Sequence, residues 1–306
     1  MEDPQLKISP LFRTVNFGGV NFWAGCLFLP MALFLPEVRK LMEVSVFEPL
    51  GKAYLKLPQG SSAKDRKKRT LVTMKWMDSC WEFSSYLVFC CLGLLASVTQ
   101  EWFTNTRYFW LGCTQLPCDY EVTTPVNLLY NLEFGWYMQS AYSMLTKFGP
   151  RKKDHNQMLI HHATTMALIA YSYATNMTRI GCMTFLLHDV CDVFLQLAKL
   201  AKYAKQENAA TGGFLVFLCV WTGTRLYYFP LHIIRSAYFE TIEMVAVPYG
   251  VHPQPHHSIL NGFLGLLFVC HIIWTIMILR VAFKTVTTKS TDDVREDSDD
   301  SDREDS

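Results

Sequence analysis

The sequence predicts an all-α polytopic membrane protein of about seven transmembrane helices. Three observations predict it. Apolar residues, half of the 306, come in blocks of about 20, the length that crosses ~30 Å of hydrocarbon. Lysine and arginine concentrate in alternate connections between those blocks. Ionisable residues that do enter the blocks cluster in two neighbouring ones, where histidine and aspartate are expensive to place. The mean hydropathy of +0.12 understates this character, because a basic stretch and an acidic tail pull it down.

The blocks run in order 15–36, 79–98, 124–145, 157–177, 180–199, 210–234 and 258–283. The first follows Glu2 and Asp3 and has a long apolar core, so it reads as a span and not as a cleaved leader. The second and last are the most uniformly apolar. The third carries Asn127, Asn131 and Glu133, so it should face other helices or a cavity. The fourth and fifth are separated by a tight turn at Asn176, which makes them antiparallel neighbours. The stretch 235–257 reads as a loop.

Orientation follows from charge. Residues 37–78 hold ten of the Lys and Arg, and with 146–156, 199–209 and the segment from Arg280 that side holds 22. The other side holds five, and Arg225 lies inside the sixth block, which accounts for all 28. The positive-inside rule then puts the N-terminus in the lumen and the C-terminus in the cytosol. "KDRKKRT" (64–70) falls in the connection 37–78, read as a basic cytosolic loop suited to anionic head groups or a phosphorylated substrate. Nothing resembles a nucleic-acid-binding pattern. The last 16 residues carry nine acids against two arginines, a composition that cannot build a core. There Ser290 and Ser301 each have an acid three residues on, which makes them phosphorylation candidates. Cys113 and Cys118 fall in a loop on the oxidising side, a disulfide candidate; the span cysteines read as small apolar packing residues. Three parts result: 1–69 with the first span and basic loop, a membrane domain at 70–285, and an acidic tail at 286–306.

The chemistry concentrates in "LIHHATTMALIAYSY" (159–173) and "LLHDVCD" (186–192). His188 and Asp192 are four apart and Asp189 and Asp192 three apart, so each pair shares a helix face. His161 and His162 point about 100° apart. At 1.5 Å per residue the two histidines lie about 8–9 Å deep, Asp192 about 12 Å and His188 about 18 Å, all measured from the cytosolic end. All five groups can converge in that half of the membrane, and buried histidine with carboxylate is the material of acid–base or nucleophilic catalysis. A metal is the rival reading, although no histidine box of the HxxHH kind is present. His232 and His271 stand alone and read as ordinary bundle histidines.

Residues 158–203 resemble the signature of the ceramide synthases, acyl-CoA-dependent sphingoid-base N-acyltransferases of the TLC-domain superfamily. The matching positions are His161-His162, Ser172-Tyr173, Asn176, Arg179-Ile180-Gly181, Leu187-His188-Asp189, Asp192, Leu195, Ala198-Lys199 and Tyr203. "RKKDHNQM" (151–158) and "TRLYYFPL" (224–231) extend the likeness. The homeodomain-like insert of many animal members is missing between the first two spans. The resemblance implies a six-helix TLC-type bundle around a lipid cavity, in the endoplasmic reticulum membrane. It implies acyl transfer from coenzyme A to the amine of a long-chain sphingoid base. Acyl-CoA is then a co-substrate and no cofactor or metal is needed. His161 would form an acyl-imidazole, or His161 or His162 would serve as general base in a direct transfer. Asp189 and Asp192 would orient the imidazoles, and His188 would relay a proton. Tyr173, Asn176, Trp221 and Arg225 are the substrate-binding candidates, with an ion pair to an aspartate equally open to Arg225. A homodimer or a small accessory subunit is a further implication, and acyl-chain selectivity would track 235–257. The contrasting reading is a non-enzymatic TLC-domain lipid sensor, cargo receptor or translocon-associated protein, which would generally lack the complete HH and HDxxD set.

Overall fold

A computed structural model describes residues 27–146 and 154–288, with side chains to 283. Helix α1 (Phe28–Met42) runs on through a π-helical turn (Glu43–Phe47) into Glu48–Tyr54. Then come α2 (Ala63–Ser97), α3 (Thr124–Thr146), α4 (His155–Ala174), α5 (Thr178–Tyr203), α6 (Glu207–Trp221) and α7 (His256–Thr288). Helix α6 continues as a wide π-helix over Thr222–Ile234, and helical turns persist to Tyr249. Four of these are long and apolar enough to cross a membrane: α2, α5, α6 with its extension over Glu207–Tyr249, and α7. Part of the first predicted span, Lys147 to Lys153, and Ser290 and Ser301 of the tail lie outside the described residues.

Six helices close a ring. In order round it, α2 packs on α3, α3 on α4, α4 on α7, α7 on the α6 extension, α6 on α5, and α5 back on α2. Helix α1 lies outside against α3. Phe28 meets Phe134 edge-on with ring centroids 4.6 Å apart, and the Phe28 N–H donates to Asn131 Oδ1 at 2.9 Å, which explains one polar residue of the third block. Gly135 is needed there, since a Cβ would sit 3.1 Å from the Phe28 carbonyl oxygen.

Three expectations need correction. The stretch 37–78 is mostly helix, broken only between Leu55 and Ser62. Ser62 caps α2 by accepting the Asp65 N–H at 3.0 Å, while its hydroxyl donates to Asp65 Oδ2 at 2.7 Å. That reciprocal cap starts a helix, and lysine and arginine propagate it, so "KDRKKRT" forms the first turns of α2. Second, 235–257 is helical to Tyr249. Arg235 pairs with the buried Glu240 at 3.0 Å, Pro248 opens the last turn, and Gly250 ends it at φ 64°, the left-handed position glycine favours. Third, α4 and α5 share a turn yet touch each other only weakly: α4 leans on α3 and α7, α5 on α2 and α6. The two helices splay, and the space between them is the cavity.

The end with Asn176 is closed by polar stapling. Asn176 holds φ 55°, a conformation Asn tolerates, and donates from Nδ2 to the carbonyls of Cys118 (3.0 Å) and Tyr120 (2.6 Å). Cys113 and Cys118 are joined by a disulfide. Arg179 donates to the carbonyls of Tyr108 and Leu111 at 3.0 and 2.6 Å and lies over the Tyr120 ring at 3.8 Å.

Candidate active site

Two cavities meet in the middle of the ring. The outer one, about 570 Å³, is lined by Arg39, Lys75, Lys199 and Lys202 together with Asp78, Glu82 and Asp154, and its wall includes His161, His162, Asp192, Trp221 and Arg225. The inner one, about 30 Å³, is lined by Leu168, Ile180, Phe185, Leu260, Leu264 and Leu267, with Glu133, Thr165, Ser172, Thr184, His188 and Asp189 among its polar members. Tyr137 borders both. The five predicted polar groups therefore share one layer but divide between two chambers.

His162 and His188 are each oriented by their own helix. His162 Nδ1 lies 2.9 Å from the Met158 carbonyl and Nε2 3.1 Å from Ser140 Oγ. A carbonyl only accepts, so Nδ1 carries the proton. His188 Nδ1 likewise donates to the Thr184 carbonyl at 2.6 Å, and its Nε2 lies 3.0 Å from Nε2 of His271. His161 differs. Its Nδ1 is buried without a hydrogen-bond partner, and its ring sits edge-on to Trp274 at 5.0 Å and to His162 at 5.8 Å. Aromatic walls hold this imidazole, and no polar partner at Nδ1 fixes its tautomer.

The carboxylates do not orient the imidazoles, contrary to expectation. Asp192 Oδ2 pairs with Arg225 at 3.0 Å, the ion pair the sequence left open. Arg225 also donates to the His188 carbonyl at 3.0 Å and faces His271 Nε2 at 3.2 Å, and its guanidinium sits 5.0 Å from the Trp221 ring. Asp189 lines the inner cavity together with Glu133 of α3. Among the described residues no His, Cys, Asp or Glu group gathers as a metal-binding set.

Of the predicted binding residues, Trp221 and Arg225 line the outer cavity. Tyr173 and Asn176 line neither. The Tyr173 hydroxyl donates to Asn127 Oδ1 at 2.8 Å, and Asn176 belongs to the stapled end. Each is held by hydrogen bonds within the bundle. Sequence reasoning missed His271, which is fully buried against His188, and gave Glu133, Tyr137 and Thr165 no role. Glu133 carried a signal, a carboxylate inside a span; His271 carried only its presence in the most apolar helix.

A ring of six helices around a polar-centred cavity, with paired histidines on one wall and HDxxD on the opposite one, defines a membrane enzyme built for a lipid-like substrate. Residues 75–280 match the TLC domain family, and the chain belongs to it. Its relatives there include ceramide synthases. It is 33% identical over 285 residues to ceramide synthase LOH1 of Arabidopsis thaliana, covering 90% of this chain and 91% of that one. Ceramide synthase 1 LOH3 of the same plant is 32% identical over 88% and 89% of the two chains. Ceramide synthase hyl-1 of Caenorhabditis elegans is 31% identical over 89% and 77%.

Proposed function

We infer that this protein is a ceramide synthase: an acyl-CoA-dependent sphingoid-base N-acyltransferase. The observation that carries the reading is His161, an imidazole with an unpartnered ring nitrogen, on the wall of a large cavity that Lys75, Lys199 and Lys202 also line. Phosphates of coenzyme A suit those lysines, and the thioester then reaches inward between α4 and α5. Those lysines belong to the cytosolic side and the disulfide end to the lumen of the endoplasmic reticulum, as the distribution of lysine and arginine supports.

His161 acts as nucleophile. Its unprotonated nitrogen attacks the thioester carbonyl, the C–S bond breaks, and the coenzyme A thiolate leaves toward the lysines and takes a proton there. The amine of the long-chain base attacks the acyl-imidazole, the bond from acyl carbon to imidazole breaks, and the imidazole recovers its lone pair as the amine gives up a proton. The side chains supply all of this chemistry, and no cofactor is called for. Trp274 and His162 fix the His161 ring; Arg225 and His271 fix the backbone and ring of His188.

Incubating the purified chain with acyl-CoA alone tests the step. Intact-mass analysis should show one acyl adduct, absent from His161→Ala. Unmodified protein that nonetheless makes ceramide would argue for direct transfer with a histidine as base.

A further inference from the structure

The second apolar block, 79–98, holds a single charged residue, Glu82. A carboxylate inside a span is expensive and is kept where it faces a cavity or a partner. Glu82 stands on α2 in the wall of the outer cavity. That cavity, about 570 Å³, falls within the range of about 300–1,000 Å³ that ligand pockets take. At 1.5 Å per residue Glu82 lies about 5 Å from the cytosolic end of its block, against about 8–9 Å for His161.

Other acids of that cavity have cations. Asp78 pairs with Arg39 and Asp192 with Arg225. Glu82 is held instead by a neutral amide: Gln196 on α5 donates from Nε2 to Glu82 Oε2. A carboxylate only accepts, so this bond fixes which way the amide faces and leaves Gln196 Oε1 as an acceptor. That oxygen is buried without a partner, on a residue 2% exposed that lines the same cavity. Buried polar groups are ordinarily paired. Two adjoining helices therefore present a carboxylate with no counter-ion among the described residues, and beside it an amide oxygen with no donor. A cation that carries several N–H donors completes both. The ionised phosphates of coenzyme A would be repelled by the first and have no hydrogen to give the second.

We propose that Glu82 and Gln196 seat the head group of the amine substrate, with its ammonium on the Glu82 carboxylate and one of its N–H groups on Gln196 Oε1. The proposal rests on the N-acyltransferase reading and deepens it by placing the acyl acceptor. The long-chain base then binds on the α2–α5 side of the outer cavity, with His161 on α4 across from it. Phe214, Phe217, Met277 and Ile278 of the same cavity offer its hydrocarbon an apolar wall.

The contrast between the two substrates tests it. Steady-state kinetics of the purified full chain are measured with sphinganine varied at saturating acyl-CoA, and the reverse. Glu82→Gln keeps the shape and removes the charge. The KM for sphinganine should rise by about tenfold or more, the size of a lost hydrogen bond to a charged group, while the KM for acyl-CoA stays within about twofold. Glu82→Asp, which keeps the charge, should recover part of the loss. Gln196→Met should raise the sphinganine KM by a smaller factor, about threefold to tenfold, and reads the same contrast if Glu82→Gln does not fold. An unchanged sphinganine KM in a folded variant would overturn the assignment. So would a rise in the acyl-CoA KM, alone or with the other, since Glu82 would then hold the amide N–H groups of coenzyme A. A wild-type chain that makes no ceramide at all would overturn the N-acyltransferase reading itself.

Discussion

At the disulfide end Asn176 gives its amide hydrogens to two backbone carbonyls, and Arg179 does the same. Trp110 Nε1 donates to Ser236 Oγ at 3.0 Å, and Thr106 and Arg235 both donate to Glu240. Each region leaves some atoms unpartnered, Asn176 Oδ1 and Glu240 Oε2 at the disulfide end, but mid-bundle they gather in greater number around the cavities: His161 Nδ1, Glu133 Oε1, Asp189 Oδ2, Thr165 Oγ1 and His271 Nδ1. The first region uses polarity to tie segments from 56 to 134 residues apart into one closed end. The second keeps polarity available. A satisfied network rigidifies, whereas an unsatisfied one costs stability and is kept for a ligand or a reaction. Substitutions at the two ends should therefore separate stability from activity.

The largest effect should come from the one centre interaction that serves both. Arg225→Met leaves Asp192 without a partner, which should cost about 2–3 kcal/mol, less than a fully buried pair because Asp192 is 24% exposed. Activity should fall by about a hundredfold as the His188 carbonyl loses its donor. Adding Asp192→Asn should restore the melting midpoint in detergent without restoring ceramide formation. Recovery of both would reduce Arg225 to a structural ion.

His271 comes next. His271→Phe removes the only ring nitrogen facing His188 Nε2 among the described residues, and should lower kcat by about tenfold with both KM values unchanged. His271→Gln, which keeps a hydrogen-bonding group there, should recover most of it. A Phe variant of normal kcat would leave the histidine pair without a role in turnover.

The disulfide end should behave in the opposite way. Replacing Cys113 and Cys118 with serine opens a loop with sequence separation 5 and should cost about 2 kcal/mol, read as a lower melting midpoint with kcat per folded molecule unchanged. A fall in kcat would mean that this end reaches the site.

The smallest effect concerns Asp119. Burial would push its carboxyl up, but the Thr114 hydroxyl and backbone N–H, donating at 2.6 and 2.8 Å, hold it below the ordinary carboxylate range. A lowered folded value contributes stability above about pH 4 that is lost as pH falls through that value. Asp119→Asn should remove that contribution, so the melting midpoints of variant and wild type should differ slightly at pH 6 and converge below about pH 4.

The half of the site carried by α5 was legible because its residues sit three and four apart on one face, a local regularity. His161 and His162 were legible as ionisable residues in apolar surroundings. The rest depended on contacts across the ring. Glu133 lines the inner cavity with Asp189, and His271 meets His188, from elements far along the chain, and neither has a local spacing that betrays its partner. The weak contact between α4 and α5 was hidden for the same reason: a tight turn fixes neighbours at one end only. The helix boundaries misled where charge imitated a loop. "KDRKKRT" is helical because Ser62 and Asp65 cap it, and 235–249 is helical because Glu240 finds Arg235 and Thr106.

The central claim is that the buried centre, with His161 at its core, performs N-acylation. Ceramide formed from acyl-CoA and sphinganine by the purified chain, quantified by mass spectrometry, tests it most directly when His161 and His162 are both changed to alanine. The account predicts product from the wild type and none above background from the double variant, at an unchanged melting midpoint. Ceramide formation that persists in the double variant would contradict it.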